Sequence, residues 1–260
     1  MLPIHREINI PPSKYAYFAS DFHFGIDGDE NSRTREKIIC QWLDEIKVDA
    51  HSLFLMGDIW DAWMEYKLVV PKGNTRFLGK LAELSDSGIQ LFIFSGNHDL
   101  WMRDYFQKEL NAEVIHEHQT FAINKKTIHL GHGDGIGPGD KQYKLLKKIL
   151  RNATCQWLYR QLHPDFGLRI ASYFSKRGPK HKYKNIEFLG EDNEFQIQYA
   201  KNLLAQNHYD YFILGHRHLP NDIELANGSR FINLGDWLSY KTYAQLGDTL
   251  VLNTYSPKLL

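Results

Sequence analysis

The sequence predicts an α/β fold in which two mixed β-sheets pack face to face with helices outside them, and three observations lead there. Five short apolar runs each end at glycine or aspartate, the signature of central strands. Helical patterns separate the early runs, which implies parallel pairing with the strands' carboxyl ends along one edge. Late apolar runs at 230–234 and 249–252 suggest that the second sheet is more antiparallel.

Taken in order, residues 15–19 read as a buried strand feeding Asp21, and a helix is expected over 32–46. The strand at 52–56 feeds Gly57-Asp58, and a helix over 74–87 leads to the strand at 89–94 and Gly96-Asn97-His98. A strand at 127–130 feeds Gly131-His132. Residues 140–190 read as a helical, basic and apolar insertion capping one edge of a single domain that spans 1–260. A helix over 193–207 then precedes the strand at 211–214, which feeds Gly215-His216. No internal repeat or low-complexity linker interrupts this pattern.

What closes these strands is chemically uniform. Asp21-Phe22-His23, Gly57-Asp58-Ile59-Trp60-Asp61, Gly96-Asn97-His98-Asp99, Gly131-His132-Gly133-Asp134 and Gly215-His216-Arg217-His218 all carry groups that bind divalent metals. Brought to one sheet edge, their seven ligand-type side chains suffice for two ions, and paired ions most often serve phosphoester hydrolysis. The glycines at 57, 96, 131 and 215 are expected to turn the strand sharply and aim the next side chain. Asp58 is the natural bridge, because a carboxylate offers two oxygens. Asp61 is as plausibly a turn or helix cap as a partner of the site, and Asp134 could support its own loop.

The order and content of these runs resemble the calcineurin-like metallophosphoesterase family, whose blocks read D-x-H, G-D-x-x-D, G-N-H-D, a later G-H, and G-H-x-H. Here they span residues 21 to 218. His132-Gly133-Asp134 followed by Asp140 and Tyr143, together with Gly235-Asp236-Trp237, resemble the branch that hydrolyses UDP-2,3-diacylglucosamine in lipid A assembly. The match departs at His98, where the best-known members of that branch carry Arg.

The resemblance implies a four-layer α/β/β/α sandwich with a helical lid. It implies one metal held by Asp21, His23, Asp58 and His218, and a second held by Asp58, Asn97, His132 and His216. Mn²⁺ suits that mixed O/N set, and Fe²⁺ or Zn²⁺ also bind such sites. His98 would stand beside the leaving oxygen as proton donor or electrostatic partner, with Asp99 orienting its ring. Asp140 would contact substrate or serve only as a helix N-cap, Tyr143 would contact substrate, and Arg217 would contact it or only pack. Trp237 would contact ligand or only pack, and Trp60, Trp63, Trp101 and Met102 are expected to pack at the rim.

Bulk properties fit this reading. A hydrophobic fraction of 43% allows a sizeable core, and 24% charged residues suit a soluble protein. The two cysteines, Cys40 and Cys155, make a disulfide framework an unsuitable explanation and favour a reducing compartment. With no signal-peptide pattern and no long uncharged run, a cytoplasmic location is expected.

The net charge of zero hides an asymmetry: positions 141–184 hold twelve Lys or Arg residues against a single acid, Asp165. Leu145, Leu146, Ile149, Leu150, Trp157, Leu158, Phe166 and Phe174 are interleaved with them. Such a segment suits an anionic sugar-nucleotide lipid or the inner membrane surface, the latter as a peripheral contact. It equally suits an ordinary amphipathic helical subdomain with solvated lysines. Nucleic acid is not expected, because Leu and Ile add little to phosphate binding. The alternatives to the lipid substrate are a soluble phosphodiester, nucleotide or phosphoprotein cleaved by the same fold, and a non-catalytic scaffold.

Overall fold

The computed structural model describes residues 3–137, 141–176 and 186–258. One sheet runs in the order β12 (Leu250–Thr254), β11 (Thr242–Leu246), β2 (Tyr15–Ala19), β3 (Ala50–Leu55), β4 (Gln90–Phe94), β5 (Glu113–Ile115). The other runs β1 (Arg6–Ile8), β6 (Gln119–Ile123), β7 (Lys126–Gly131), β8 (Tyr211–Leu214), β10 (Arg230–Asn233), β9 (Asn221–Glu224).

Strand alternation sorts the apolar residues into three layers of packing. From the first sheet, Ala16, Phe18, Phe54, Phe92 and Phe94 face the second sheet, whose Phe121, Ile128, Leu130, Ile213 and Ile232 meet them. Phe18, Phe54 and Phe92 stack at 4.7 and 4.5 Å between ring centroids, and Phe121 approaches the latter two edge-on from the opposite sheet. The alternate residues Tyr17, Ala19, Leu53, Leu55, Leu91 and Ile93 face outward, under α1 (Ser32–Ile46), α2 (Thr75–Asp86) and α3 (Tyr105–Leu110). On the far side Phe212, Leu214 and Phe231 pack against Ile197 and Ala200 of α7 (Phe195–Leu204). The result is helices, sheet, sheet, helix.

Local chemistry sets the helix ends. Asn31 caps α1 by accepting from the Thr34 amide at 2.9 Å. Asn74 offers α2 no such side-chain bond; buried Glu36 of α1 accepts from the Arg76 and Phe77 amides instead, at 3.0 and 3.3 Å. One expectation is corrected here. The runs at 230–234 and 249–252 do not share a sheet: β10 pairs parallel with β8, whereas β12 pairs antiparallel with β11 at the edge of the first sheet. The intervening β11, half polar and missed in the sequence, pairs antiparallel with β2 and carries the chain back.

Parallel register places the chemistry. Ala19, Leu55 and Ile93 are aligned across β2, β3 and β4, and Gly131 is aligned with Leu214 across β7 and β8. All five ligand-rich runs therefore leave their strands at one edge. Beside them lie α4 (Lys141–Leu150), α5 (Ala153–Tyr159) and α6 (Pro164–Lys176). Their Leu150, Tyr159, Leu168 and Ala171 pack on Met64, Leu100 and Trp101. No helix among the described residues is long and apolar enough to cross a membrane.

Candidate metal centre

Two sets of donors gather where the runs meet. Asp21, His23 and His218 form one, and Asp58, His132 and His216 the other, with the donor atoms of each set within 4.8 Å of one another. Asn97 Oδ1 lies 3.2 Å from His132 Nε2, adjoining the second set. Asp58 Oδ2 stands between them, 3.2 Å from His132 Nε2 and 3.8 Å from His23 Nε2. Asp21, His23, Asp58, His132 and His218 are buried, whereas Asn97, His98 and His216 are only half-buried, so the accessible side of the centre is theirs.

Each carboxylate divides its oxygens between the scaffold and the site. Asp21 Oδ2 accepts from Ser20 Oγ and from the His216 amide. Its Oδ1 faces His23 Nε2 at 3.6 Å and His218 Nε2 at 3.3 Å. Asp58 Oδ1 accepts from the His98 amide at 2.8 Å, leaving Oδ2 to the site. The imidazoles follow the same rule. His132 Nδ1 lies 2.9 Å from the Met56 carbonyl, and His218 Nδ1 lies 3.0 Å from Asp236 Oδ2. A ring whose Nδ1–H is committed in this way presents its Nε2 lone pair inward.

The backbone is shaped for this purpose. Asp21, His23, Asp58, His216 and His218 all have positive φ, between 46° and 68°. Non-glycine residues there cost of order 1–2 kcal/mol each. Bonds such as those of buried Arg35, which donates to the carbonyls of Phe22 and His23 at 2.8 Å each, hold the turns in place. The role expected of the glycines is thus only partly theirs. Gly57 has φ +94°, but Gly96, Gly131 and Gly215 lie outside the left-handed region. They are required by close approach: a β-carbon at Gly215 would run into Ser20 Oγ and Asp21 Oδ2, and one at Gly96 into the Asp58 carboxylate.

A divalent cation fits these residues. Asp21 Oδ1 is buried and accepts no hydrogen bond among the described residues, which costs a few kcal/mol if left uncompensated. Facing it at 3.3 and 3.6 Å are two ring nitrogens, themselves 3.3 Å apart. An N, N, O set around one point is a borderline divalent-metal environment. Titration points the same way. Burial disfavours a charged His23 and His132, yet the carboxylates of Asp21 and Asp61 beside the former, and the charge and hydrogen bond of Asp58 on the latter, raise both to about 10. Asp58 is held low by His132 and His98 despite its burial. His216 departs from this, at about 4, through burial and the neighbouring His132. The negative field is therefore centred on Asp21, Asp58 and Asp61, where it favours positive charge.

Around this centre the other predicted residues fall out differently. His98 Nδ1 lies 3.3 Å from Asp61 Oδ1, 3.1 Å from the Asp61 carbonyl and 3.1 Å from Ser175 Oγ. Asp99, expected to orient that ring, does something else: its carboxylate accepts from the amides of Gly96 at 2.7 Å and Ile59 at 2.8 Å, bolting two loops together. Burial and the nearby Asp58 raise Asp99 to about 6. His23, Asp61 and His98 also come within 4.8 Å, so Asp61 belongs to the site rather than to a helix cap. Tyr143 donates its hydroxyl to Asp134 at 2.5 Å, and Lys147 pairs with the same carboxylate at 2.6 Å. Arg217 is held by Glu194 through two bonds of 3.0 Å and by the Glu187 carbonyl. Trp237 packs fully buried against Phe22 and Trp42. Asp140 lies outside the described residues.

Sequence reasoning passed over several supporting residues. Asp236 holds His218 and accepts from the Ser239 and Tyr240 amides at 2.8 and 3.2 Å. Gln196 donates to the carbonyls of Gly133 and Gly215, tying two of the runs together. A signal existed for Asp236 in the Gly235-Asp236-Trp237 ending; Arg35 and Gln196 sit in helices and carried none.

Comparison with known proteins agrees with this geometry. The calcineurin-like phosphoesterase family matches residues 16–220. A Porphyromonas gingivalis protein named UDP-2,3-diacylglucosamine hydrolase is 39% identical over 253 residues, covering 92% of this chain and 96% of that one. Proteins of the same name from Histophilus somni and Wigglesworthia glossinidia brevipalpis are each 24% identical. They cover 86% and 92% of this chain and 92% and 93% of their own.

Proposed function

The chain belongs to the calcineurin-like phosphoesterase family, and we propose that within it this protein cleaves the pyrophosphate of UDP-2,3-diacylglucosamine, giving UMP and 2,3-diacylglucosamine 1-phosphate. The observation that carries the substrate is the end-to-end likeness to the Porphyromonas gingivalis hydrolase. The chemistry is supported by two adjoining donor sets with Asp58 between them.

Asp21, His23, Asp58 and His218 would hold one divalent ion, and Asp58, Asn97, His132 and His216 the other, with Mn²⁺ the best match to the mixed O/N donors. Bound there, such ions supply Lewis acidity and an activated water for in-line attack at phosphorus. The chain's own residues do the rest. His98, half-buried at the open side, would give a proton to the departing oxygen. Neighbouring carboxylates, chiefly Asp58 and then Asp61, raise its pKa against the opposing effect of burial, which suits a donor.

Helices α4–α6 would act as a lid within the one domain. Lys147 and Arg151 are paired with Asp134 and Glu117 and so seat α4, whereas Lys148 and Arg169 have no ion pair among the described residues. These last two would be available to anionic substrate. A cavity of about 240 Å³, lined by Phe24, Trp60, Trp63 and Leu168 on its apolar side and by Asp61, Lys72 and Asn74 on its polar side, would offer its apolar side to an acyl chain. Leu145, Trp157 and Phe174, exposed among basic residues, would rest on the inner membrane surface and keep the cytoplasmic enzyme near its lipid substrate.

The deciding assay is release of UMP from UDP-2,3-diacylglucosamine with Mn²⁺, run beside Asp58→Ala and with bis-p-nitrophenyl phosphate as a small diester. UMP release that is lost in the variant is expected. Cleavage of the small diester alone would retain the metal chemistry and remove the lipid substrate.

A further inference from the structure

Helix α6 reaches the centre at its last turn. Leu168 and Ala171 pack on the body, and Ser175, four residues past Ala171, continues the same helix face. The helix lies close because Gly167 has no side chain. A β-carbon there would collide with the Tyr66 hydroxyl, and Tyr159 donates to the Gly167 carbonyl at 3.0 Å. Phe166, Tyr173 and Phe174 project from α6 into solvent, so Ser175 belongs to its inward side.

There the Ser175 hydroxyl lies 3.1 Å from His98 Nδ1, which also faces the Asp61 carbonyl at 3.1 Å and Asp61 Oδ1 at 3.3 Å. A hydroxyl lone pair can accept from His98 Nδ1–H, beside the two Asp61 oxygens that face the same nitrogen. Nδ1 is then fully committed, and Nε2 alone is left to meet a substrate.

We propose that Ser175 is a positioning residue of the reaction, through which the last turn of α6 completes the setting of the His98 ring. The inference rests on His98 acting on the leaving oxygen. It makes proton delivery depend on α6 being seated, so covering the substrate and aligning the proton donor become one event.

The test compares Ser175→Ala and Ser175→Thr in two ways: kcat and KM on UDP-2,3-diacylglucosamine with Mn²⁺, and the His98 imidazole ¹⁵N–¹H signals of the metal-free protein. Losing one hydrogen bond predicts a fall in kcat of about three- to tenfold with KM held. Threonine, which keeps the hydroxyl, should recover most of it. In a His98→Ala background Ser175→Ala should cost nothing further. The His98 Nδ1 signal should shift in the alanine variant and return in the threonine one. An unmoved His98 signal, a rise in KM with kcat intact, or an equal loss in the His98→Ala background would each overturn the proposal. If the wild type does not cleave this lipid, the substrate reading falls, and the imidazole signals still decide whether Ser175 holds His98.

Discussion

The ligand-bearing loops and helices α4–α6 meet at one cleft but are held there by different physics. On the loop side, Asp21, His23 and Asp58 are all but fully buried, and the backbone is pinned in left-handed turns. The second oxygens of Asp21 and Asp58 are each bonded to a backbone amide. On the helical side Leu145, Trp157 and Phe174 are 60%, 57% and 68% exposed, and the seat is a small apolar cluster with a few polar ties such as Trp101 to the Leu150 carbonyl at 2.7 Å. The first construction fixes donor positions before any ligand arrives, as electrostatic catalysis requires. The second, with fewer buried contacts, can shift at less cost.

The sharpest break in that contrast comes from the loops. Asp58→Ala removes the carboxylate between the two donor sets and should lower hydrolysis by about a thousandfold or more, roughly 4 kcal/mol of transition-state stabilisation. Stripping metal with EDTA should match it, and Mn²⁺ should rescue the wild type alone. Asp236→Ala comes next. It leaves every direct donor in place but frees His218 Nδ1 from its 3.0 Å partner. A ten- to hundredfold loss of Mn²⁺ affinity is expected by titration; unchanged affinity would mean that the turn at His218 is held by its backbone alone.

The same contrast explains what could be read from the chain. Strands β2, β3 and β4 were legible because they are buried on both faces and read as unbroken apolar runs. The gathering of Asp21, Asp58, Asn97, His132, His216 and His218 was legible because each closes such a run. Strand β11 was not, since Tyr243 and Gln245 alternate with buried residues and blur it into loop. Nor was the partner of His98. Asp99 is adjacent in sequence, but successive residues of a turn point apart, and Asp61 and Ser175 arrive from segments 37 and 77 residues away. Contacts of that kind are made by tertiary packing and leave no local pattern.

Two glycines test how far each construction tolerates intrusion. Gly215→Ala places a carbon against Ser20 Oγ and Asp21 Oδ2, neither of which can retreat without giving up a bond at the centre. A loss of about 1–3 kcal/mol of stability is expected from thermal unfolding, together with weaker Mn²⁺ binding. Gly167→Ala meets the tip of Tyr66 and, less closely, the edge of the Tyr159 ring at 3.2 Å. It should cost less than Gly215→Ala, because the atoms it meets are ring ends of Tyr66 and Tyr159 rather than a carboxylate tied to the centre, and raise KM for the lipid substrate by loosening α6. Equal costs at the two sites would erase the distinction between a fixed and a yielding wall.

The smallest expected effect falls on the outer face of the helices. Phe174→Ala and Trp157→Ala remove side chains that are mostly in water already, so unfolding free energy should stay within about 0.5 kcal/mol of wild type. Activity on bis-p-nitrophenyl phosphate should not move, since neither residue touches the donor sets. Binding to vesicles containing anionic lipid should weaken, because an exposed aromatic surrounded by lysines and arginines gains by insertion at a charged interface. Vesicle binding that survives both changes would leave these side chains without a partner in the membrane, and the basic residues of α4–α6 would then serve the substrate's phosphates alone.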